Sequence, residues 1–158
     1  MASQDPFHEL SYYTLAHPRE EFLHQYAVDA YGAQTANASD KPIRLVFALV
    51  GLYLHVELGC NGREVQRIHT KLASRKSALP QIRVPASRGR VSVSDVLHAP
   101  PGLERDRKIE EWCESVWTAY SHNRNTIADL LSGLVPQKSI VQSSGRAADF
   151  RRQRPLGR

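Results

Sequence analysis

The apolar run IRLVFALVGLYLHVEL, residues 43–58, constrains the fold more than any other stretch of this chain. Pro42 precedes the run, in a position that suits the first turn of a helix, and Gly59 follows it. A helix that is apolar on nearly every side is typical of the buried centre of a helical bundle. Because the run has only 16 residues and is interrupted by Arg44 and His55, it is too short and too charged for a membrane span. We therefore expect no contact with a membrane.

Other segments also have helical patterns. Pro18 suits a first helical position, and Asn61 with Glu64 three residues later forms a capping-box pattern. Apolar residues recur every three to four positions after Leu103. These signals predict helices over about 18–34, 42–59, 61–76 and 103–134, the last as one helix or as two joined at SHNRN. No helix is predicted for the aromatic and His-rich residues 1–17.

Residues 77–101 break the helical pattern. The stretch LPQIRVPASRGRVSVSDVLHAPPG holds four prolines and two glycines, so we predict an extended loop with a brief strand near Val91. A short helix capped by Ser94 or Asp95 then follows. The predicted fold is all-α, a four- to five-helix bundle with one long crossover loop. Residues 1–135 form one domain in this interpretation, and 136–158 form a flexible basic tail.

The net charge of +5 is concentrated in the tail. Six of the 21 basic residues and one of the 16 acidic residues lie in 136–158, which leaves 15 of each before it. The domain is therefore formally neutral, and nucleic-acid binding is an expectation only for the tail. Two distant cysteines, Cys60 and Cys113, and an N-terminus without signal-peptide character favour a reducing, cytoplasmic location.

The stretch HQYAVDAYGAQ, residues 24–34, carries more polar groups than a helix requires. On a helical wheel His24 and Tyr31 share one face, with Gln34 at its flank, whereas Asp29 lies on a different flank. An imidazole, a phenol and an amide on one face can orient a polar ligand and move a proton near neutral pH. The alternative is that these groups are core residues with satisfied hydrogen bonds.

His55 is a second candidate, because a buried imidazole in an apolar helix needs a partner. Tyr31, Asp29, a glutamate, water or a metal would serve. Arg44 lies three turns before His55 on the same stripe, with Gly51 between them. This glycine either allows another helix to approach closely or leaves room for a ligand, and close packing is the more frequent reason.

A metal site is a further hypothesis. His24, His55 and His69 fall on three successive predicted helices, and bundles can build zinc or iron sites from facing helices. The spacing is not diagnostic, since the sequence has no HExxH motif.

The pattern H-x-x-x-V-D-A-Y-x-x-Q resembles that of a family of small uncharacterised bacterial proteins, as do the segments FALVGLYLHVE, GREVQ and WCESVW. The resemblance covers roughly residues 7–134. It implies one intact domain and no particular activity. Some members carry a histidine directly after the motif glutamine, whereas Thr35 follows Gln34 here.

The leading functional hypothesis is a small cytoplasmic enzyme with a pocket between the predicted helices 18–34, 42–59 and 61–76. His24, His55 and Tyr31 would be catalytic or, for the histidines together with His69, metal ligands. Gln34, Arg44 and Asp29 would bind a polar small molecule. The rival hypothesis is a non-catalytic helical module that binds a partner or forms a homo-oligomer. A weaker one assigns nucleic-acid contact to the tail.

Overall fold

A computed structural model describes residues 5–17, 21–75 and 78–135. These residues form seven α-helices, with a π-helix and a 3-10 turn, and contain no strand. The predicted all-α class is thereby confirmed, while the predicted brief strand near Val91 is wrong. The helices are α1 (Pro6–Ala16), α2 (Leu23–Gln34), α3 (Pro42–Leu52), the π-helix (Tyr53–Glu57), α4 (Gly62–Ser74), α5 (Val93–His98), α6 (Leu103–Tyr120), the 3-10 turn (Ser121–Asn123) and α7 (Arg124–Leu130). The predicted tail, 136–158, lies outside the described residues.

The helix signals read from the sequence act as expected around α3 and α4. Pro42 occupies the first turn of α3. Gly59, with φ +68°, follows the π-helix in a left-handed conformation that glycine adopts without steric cost. At the start of α4 the Asn61 side chain accepts from the Glu64 amide at 2.9 Å, and the Glu64 carboxylate accepts from the Asn61 amide at 2.8 Å. This is the predicted capping box.

The N-terminal part of the prediction is wrong in two ways. Residues 6–16 form the helix α1, which begins with Asp5 as its N-cap and Pro6 in its first turn. The next helix, α2, begins at Leu23 and not near Pro18, because Phe22 adopts a left-handed backbone with φ 52°. Pro18 itself lies outside the described residues. The Asp-Pro pair was the missed signal, since it combines an N-cap residue with a first-turn proline.

Two details at the C-terminal end differ from the prediction. The cap of α5 is Ser92, whose hydroxyl accepts from the Asp95 amide, and Asp95 is the third residue of the helix and not its cap. The last helical region is two helices, α6 and α7, joined by the 3-10 turn within the predicted SHNRN junction.

The predicted central helix, α3, shares the middle of the bundle with α2. Helix α2 packs against α1, α3, α4 and α6, while α3 contacts α2, α4, α6 and α7. Small residues of α2, including Ala27, Ala30 and Ala33, are fully buried and allow this close packing. The largest fully buried side chains of the core are Trp112, Tyr120, Leu10, Leu49, Leu52, Leu54, Ile109, Ile127 and Leu131. No helix among the described residues is long and apolar enough to cross a membrane.

Candidate functional site

The His24–Tyr31 face of α2 packs against α1. The Nδ1 atom of His24 lies 2.9 Å from the Thr14 hydroxyl, and the Tyr31 ring stacks on Phe7 with centroids 4.0 Å apart. Burial lowers the pKa of His24. Both partners belong to the helix that was not predicted, so the sequence could not show what this face meets.

Asp29 is enclosed between α2 and α3. Its side chain is 4% exposed, Oδ1 accepts from the Gln25 amide at 3.1 Å, and Oδ2 has no hydrogen-bond partner. A Cβ atom at position 51 would overlap this carboxyl group, so Gly51 provides the space for it. Burial raises the pKa of Asp29 well above its ordinary value, and the Gln25 hydrogen bond opposes this shift only in part. The small residue on α3 thus serves close packing and not an open ligand site.

His55 lies in the π-helix and stacks on Tyr26. The ring centroids are 3.5 Å apart, and Nδ1 lies 3.4 Å from the Cys60 carbonyl oxygen. Desolvation lowers the pKa of His55 to about 4, so the imidazole is neutral at neutral pH. The sequence predicted that His55 needs a partner, but it did not identify Tyr26 or Cys60, because it did not indicate the π-helix that sets the direction of this side chain.

The proposed zinc or iron ligands, His24, His55 and His69, are not brought together. His69 Nε2 lies 2.8 Å from the Phe47 carbonyl oxygen, and burial lowers the pKa of this histidine. Phe47 precedes His55 by eight residues, which is roughly 12 Å along a helix. His24 faces α1 instead. Among the described residues no group of three His, Cys, Asp or Glu side chains is placed to hold a metal ion, so the structure does not support this prediction.

Gln34 holds the long segment between α4 and α5. Its Nε2 donates to the carbonyl oxygens of Val91 at 2.7 Å and Arg88 at 3.3 Å, while Oε1 accepts from Trp112 Nε1 at 2.9 Å. One side chain therefore joins α2, α6 and this segment. Both the nitrogen and the oxygen of the amide, which was predicted to bind substrate, are thus engaged in holding these elements together.

Arg44 lies near the surface at the start of α3. Its guanidinium is 3.6 Å from the Asp40 carboxylate in an i,i+4 pair, and its side chain is largely exposed. An exposed pair of this kind contributes at most about 1 kcal/mol to folding. The pair matters for the site because the Arg44 guanidinium offsets the negative charge of Asp40, which lines a neighbouring cleft.

That cleft was missed by the sequence analysis. It has a volume of about 460 Å³ and lies between the α2–α3 loop, the first turns of α3 and the segment 80–88. Its walls are mostly aliphatic, and its only cationic lining residues are Lys41 and Arg88. The lining comprises Ala36, Asn37, Ala38, Asp40, Lys41, Pro42, Leu45, Val46, Pro80, Gln81, Ile82, Val84 and Arg88. None of the predicted site residues lines it, although Gln34 and Arg44 each contact a residue that does.

Three side chains fix the segment that forms one wall of this cleft. Asn123 forms hydrogen bonds with both the amide and the carbonyl of Arg83. The Ser115 hydroxyl accepts from the amides of Arg90 and Val91. Gln34 donates to the carbonyls of the same segment, as described above. Arg88 in turn donates to the carbonyl oxygens of Gln34 and Ala36 at the end of α2. A cleft formed by loops is thereby held in shape by polar contacts from α2, α6 and the 3-10 turn.

The fold and site together define an all-α domain with an apolar, cation-flanked cleft at one end of α3. Residues 4–121 match the model of a family of unknown function, DUF5946, and the chain belongs to that family. The match includes the whole of α1 to α6, and it confirms the predicted resemblance to a family of uncharacterised proteins. No curated protein matches the chain, and no solved structure matches it.

Proposed function

We propose that this chain is a non-catalytic binding domain whose cleft takes a ligand with an apolar body and an anionic group. The observation that carries the proposal is the composition of the cleft wall, which combines aliphatic side chains with Lys41 and Arg88. Pockets that bind small molecules are mostly apolar, with a few polar groups that fix the orientation of the ligand.

The electrostatics of the cleft favour an anion. Its one acidic lining residue, Asp40, is paired with Arg44 and also accepts from the Asn37 amide at 3.0 Å. The N-terminus of α3 lies at the cleft, and no side chain caps it, so the positive end of the helix dipole adds to the field of Lys41. The ligand would place its charge at this end and its apolar part against Ile82 and the nearby aliphatic walls.

A binding domain accounts for the geometry better than the enzyme hypothesis. The cleft lining contains no histidine, cysteine, serine or tyrosine. Of its two remaining acid–base groups, Asp40 and Lys41, the first is paired with Arg44. The predicted catalytic residues His24, Tyr31 and His55 instead contact other side chains and backbone groups of the bundle. A cytoplasmic location is part of this proposal. Both cysteines are free and buried, which supports a reducing compartment.

Binding can be tested with 8-anilinonaphthalene-1-sulfonate, an aromatic sulfonate whose fluorescence rises in apolar sites, and with octanoate as a competitor. Val84 lines the cleft and is 48% exposed, so Val84→Asp should weaken binding at least fivefold without unfolding the protein. The matched control is Leu103→Asp, at an apolar side chain that is 64% exposed and does not line the cleft. Equal effects of the two changes, or no binding by the wild type, would contradict the proposal.

A further inference from the structure

The segment LPQIRVP, residues 79–85, forms part of the cleft wall and contains no regular secondary structure. A residue that precedes proline is restricted to extended backbone, and this applies to Leu79 and Val84. Extended conformation is therefore favoured near both ends of the segment by the sequence itself.

Asn123 shows that the middle of the segment is also extended. Its Oδ1 accepts from the Arg83 amide at 2.9 Å, and its Nδ2 donates to the Arg83 carbonyl oxygen at 2.9 Å. Both backbone groups of one residue point to the same side only in a strand-like conformation. Asn123, which is buried, thus occupies the place that a residue of a neighbouring strand would take.

The opposite edge of the segment is open. In an extended chain the backbone groups of successive residues point to opposite edges, so those of Ile82 and Val84 point away from Asn123. No described residue forms a hydrogen bond with the backbone amide or carbonyl of either residue. Their side chains line the cleft, whereas Arg83 between them does not. An unpaired strand edge beside an apolar cleft is the arrangement that β-augmentation uses.

We infer that the edge at Ile82 and Val84 binds an extended peptide segment of a partner protein, which adds as a strand and carries alternating apolar and acidic side chains. This inference rests on the proposed function, since the apolar side chains of the peptide would occupy the cleft. The acidic ones would lie on the other face, beside Arg83, whose guanidinium forms no ion pair among the described residues.

Charge complementarity selects an acidic partner over a second copy of this chain. If two copies paired antiparallel through this edge, with Ile82 opposite Val84, the two Arg83 side chains would lie directly opposite each other. Like charges in that position are destabilising. Pro80, which lies on the same edge as Ile82 and Val84, also lacks the amide donor that a longer self-paired ladder would need.

The test uses a fluorescein-labelled heptapeptide of alternating valine and glutamate, with fluorescence anisotropy as the readout. Two further versions carry N-methyl groups on either the valines or the glutamates, which removes backbone donors from one edge of the peptide at a time. Because the peptide would pair through only one of its two edges, one methylated version should lose at least tenfold in affinity and the other should not. In antiparallel pairing the version that loses affinity is the one methylated on valine. The peptide residues directly opposite Ile82 and Val84 have their side chains on the cleft face, so they are valines, and their amides donate to this edge. If the two versions bind equally well, or if both fail, the inference is overturned.

Two variants give an independent check. Ile82→Pro removes an edge donor and should abolish peptide binding, whereas its matched control Ile82→Val keeps the donor and should bind within about twofold of the wild type. Arg83→Glu should reverse the preference, so that a valine–lysine heptapeptide binds better than the valine–glutamate one. An unchanged preference would overturn the acidic assignment.

The two probes separate this inference from the proposed function. Binding of the sulfonate probe without any binding of the peptide would refute strand addition while leaving the proposed function standing. If the wild-type protein binds neither the sulfonate nor the peptide, both the inference and the proposed function are refuted.

Discussion

At the scale of single residues, His55 shows how burial converts a polar group into a pH-dependent element of the fold. Its ring stacks on Tyr26, and desolvation lowers its pKa to about 4. A histidine whose folded-state pKa lies below its ordinary value of about 6.5 binds fewer protons when folded than when unfolded. The contribution of the neutral His55 ring to the free energy of unfolding is fully present above pH 6.5, and it is lost as the pH falls towards 4.

We therefore expect His55→Phe, which keeps an aromatic ring on Tyr26 but cannot be protonated, to reduce the acid sensitivity of the fold. Between pH 7 and pH 4 the free energy of unfolding should fall by roughly 3 kcal/mol less in the variant than in the wild type. Urea denaturation at a series of pH values measures this difference. The same replacement at the exposed His98 is the control for introducing a phenylalanine in place of a histidine. Identical profiles for His55→Phe and the wild type would show that this imidazole is not desolvated.

Gln34 is a residue of α2 that holds the segment forming one wall of the cleft. Gln34→Leu leaves the Trp112 indole N–H and the Val91 carbonyl without their partners. Unsatisfied buried groups cost on the order of 1–3 kcal/mol each, so we expect a loss of about 2 kcal/mol or more in the free energy of unfolding. Urea denaturation measures it, and hydrogen exchange should rise at residues 88–91. The same change at exposed Gln66 should shift stability by less than about 0.5 kcal/mol.

At the scale of elements, the contact between α2 and α3 depends on a pairing of a carboxyl group with a glycine. Gly51→Ala places a methyl group where the Asp29 carboxyl lies, and overpacking of this kind costs about 1–3 kcal/mol. In an Asp29→Ala background the obstruction is gone, and the alanine should instead stabilise α3 by up to about 1 kcal/mol through its helix propensity. A double-mutant cycle measured by urea denaturation should give a coupling free energy above 1 kcal/mol. Additive effects would show that the two residues do not interact.

The elements that the sequence predicted well are those whose ends carry local signals. Pro42, Gly59 and the Asn61–Glu64 pair act on backbone within a few residues of themselves, so α3 and α4 could be located from these residues alone. The π-helix leaves no such signal, because an i to i+5 hydrogen bond depends on how α3 packs against its neighbours.

The candidate site was harder to predict because its contacts join residues far apart in the chain. The wheel placed His24 and Tyr31 on one face, but their partners Thr14 and Phe7 lie on a helix that the sequence analysis did not recognise. The cleft depends on Asn123 binding a backbone 40 residues away. A contact between a side chain and a backbone group that far apart leaves no periodic pattern in the sequence, so it could not be predicted from the sequence.

At the scale of the whole molecule, charge is divided between a neutral domain and a basic C-terminal segment. If this segment contacts nucleic acid, the full chain should bind double-stranded DNA. The logarithm of its binding constant should then fall with the logarithm of the salt concentration with a slope no steeper than about −5, since six basic residues are available. A chain that ends at Val135 should show no such binding by fluorescence anisotropy, while its helical circular dichroism is retained. Salt-dependent binding by the shortened chain would place the contact on the domain.

The Tyr13 hydroxyl accepts from the Gly102 amide at 2.9 Å and donates to the Asp106 carboxylate at 2.9 Å. Its partners are therefore made about 90 residues after it. At a synthesis rate of about 5–20 residues per second, α1 leaves the ribosome on the order of 5–20 s before they do. During that interval the Tyr13 phenol has neither of its native partners, and the part of α1 that packs on α5 is not yet covered. Helix α1 is thus among the last of the described helices to complete its contacts, and chains truncated before Asp106 should expose it to proteases.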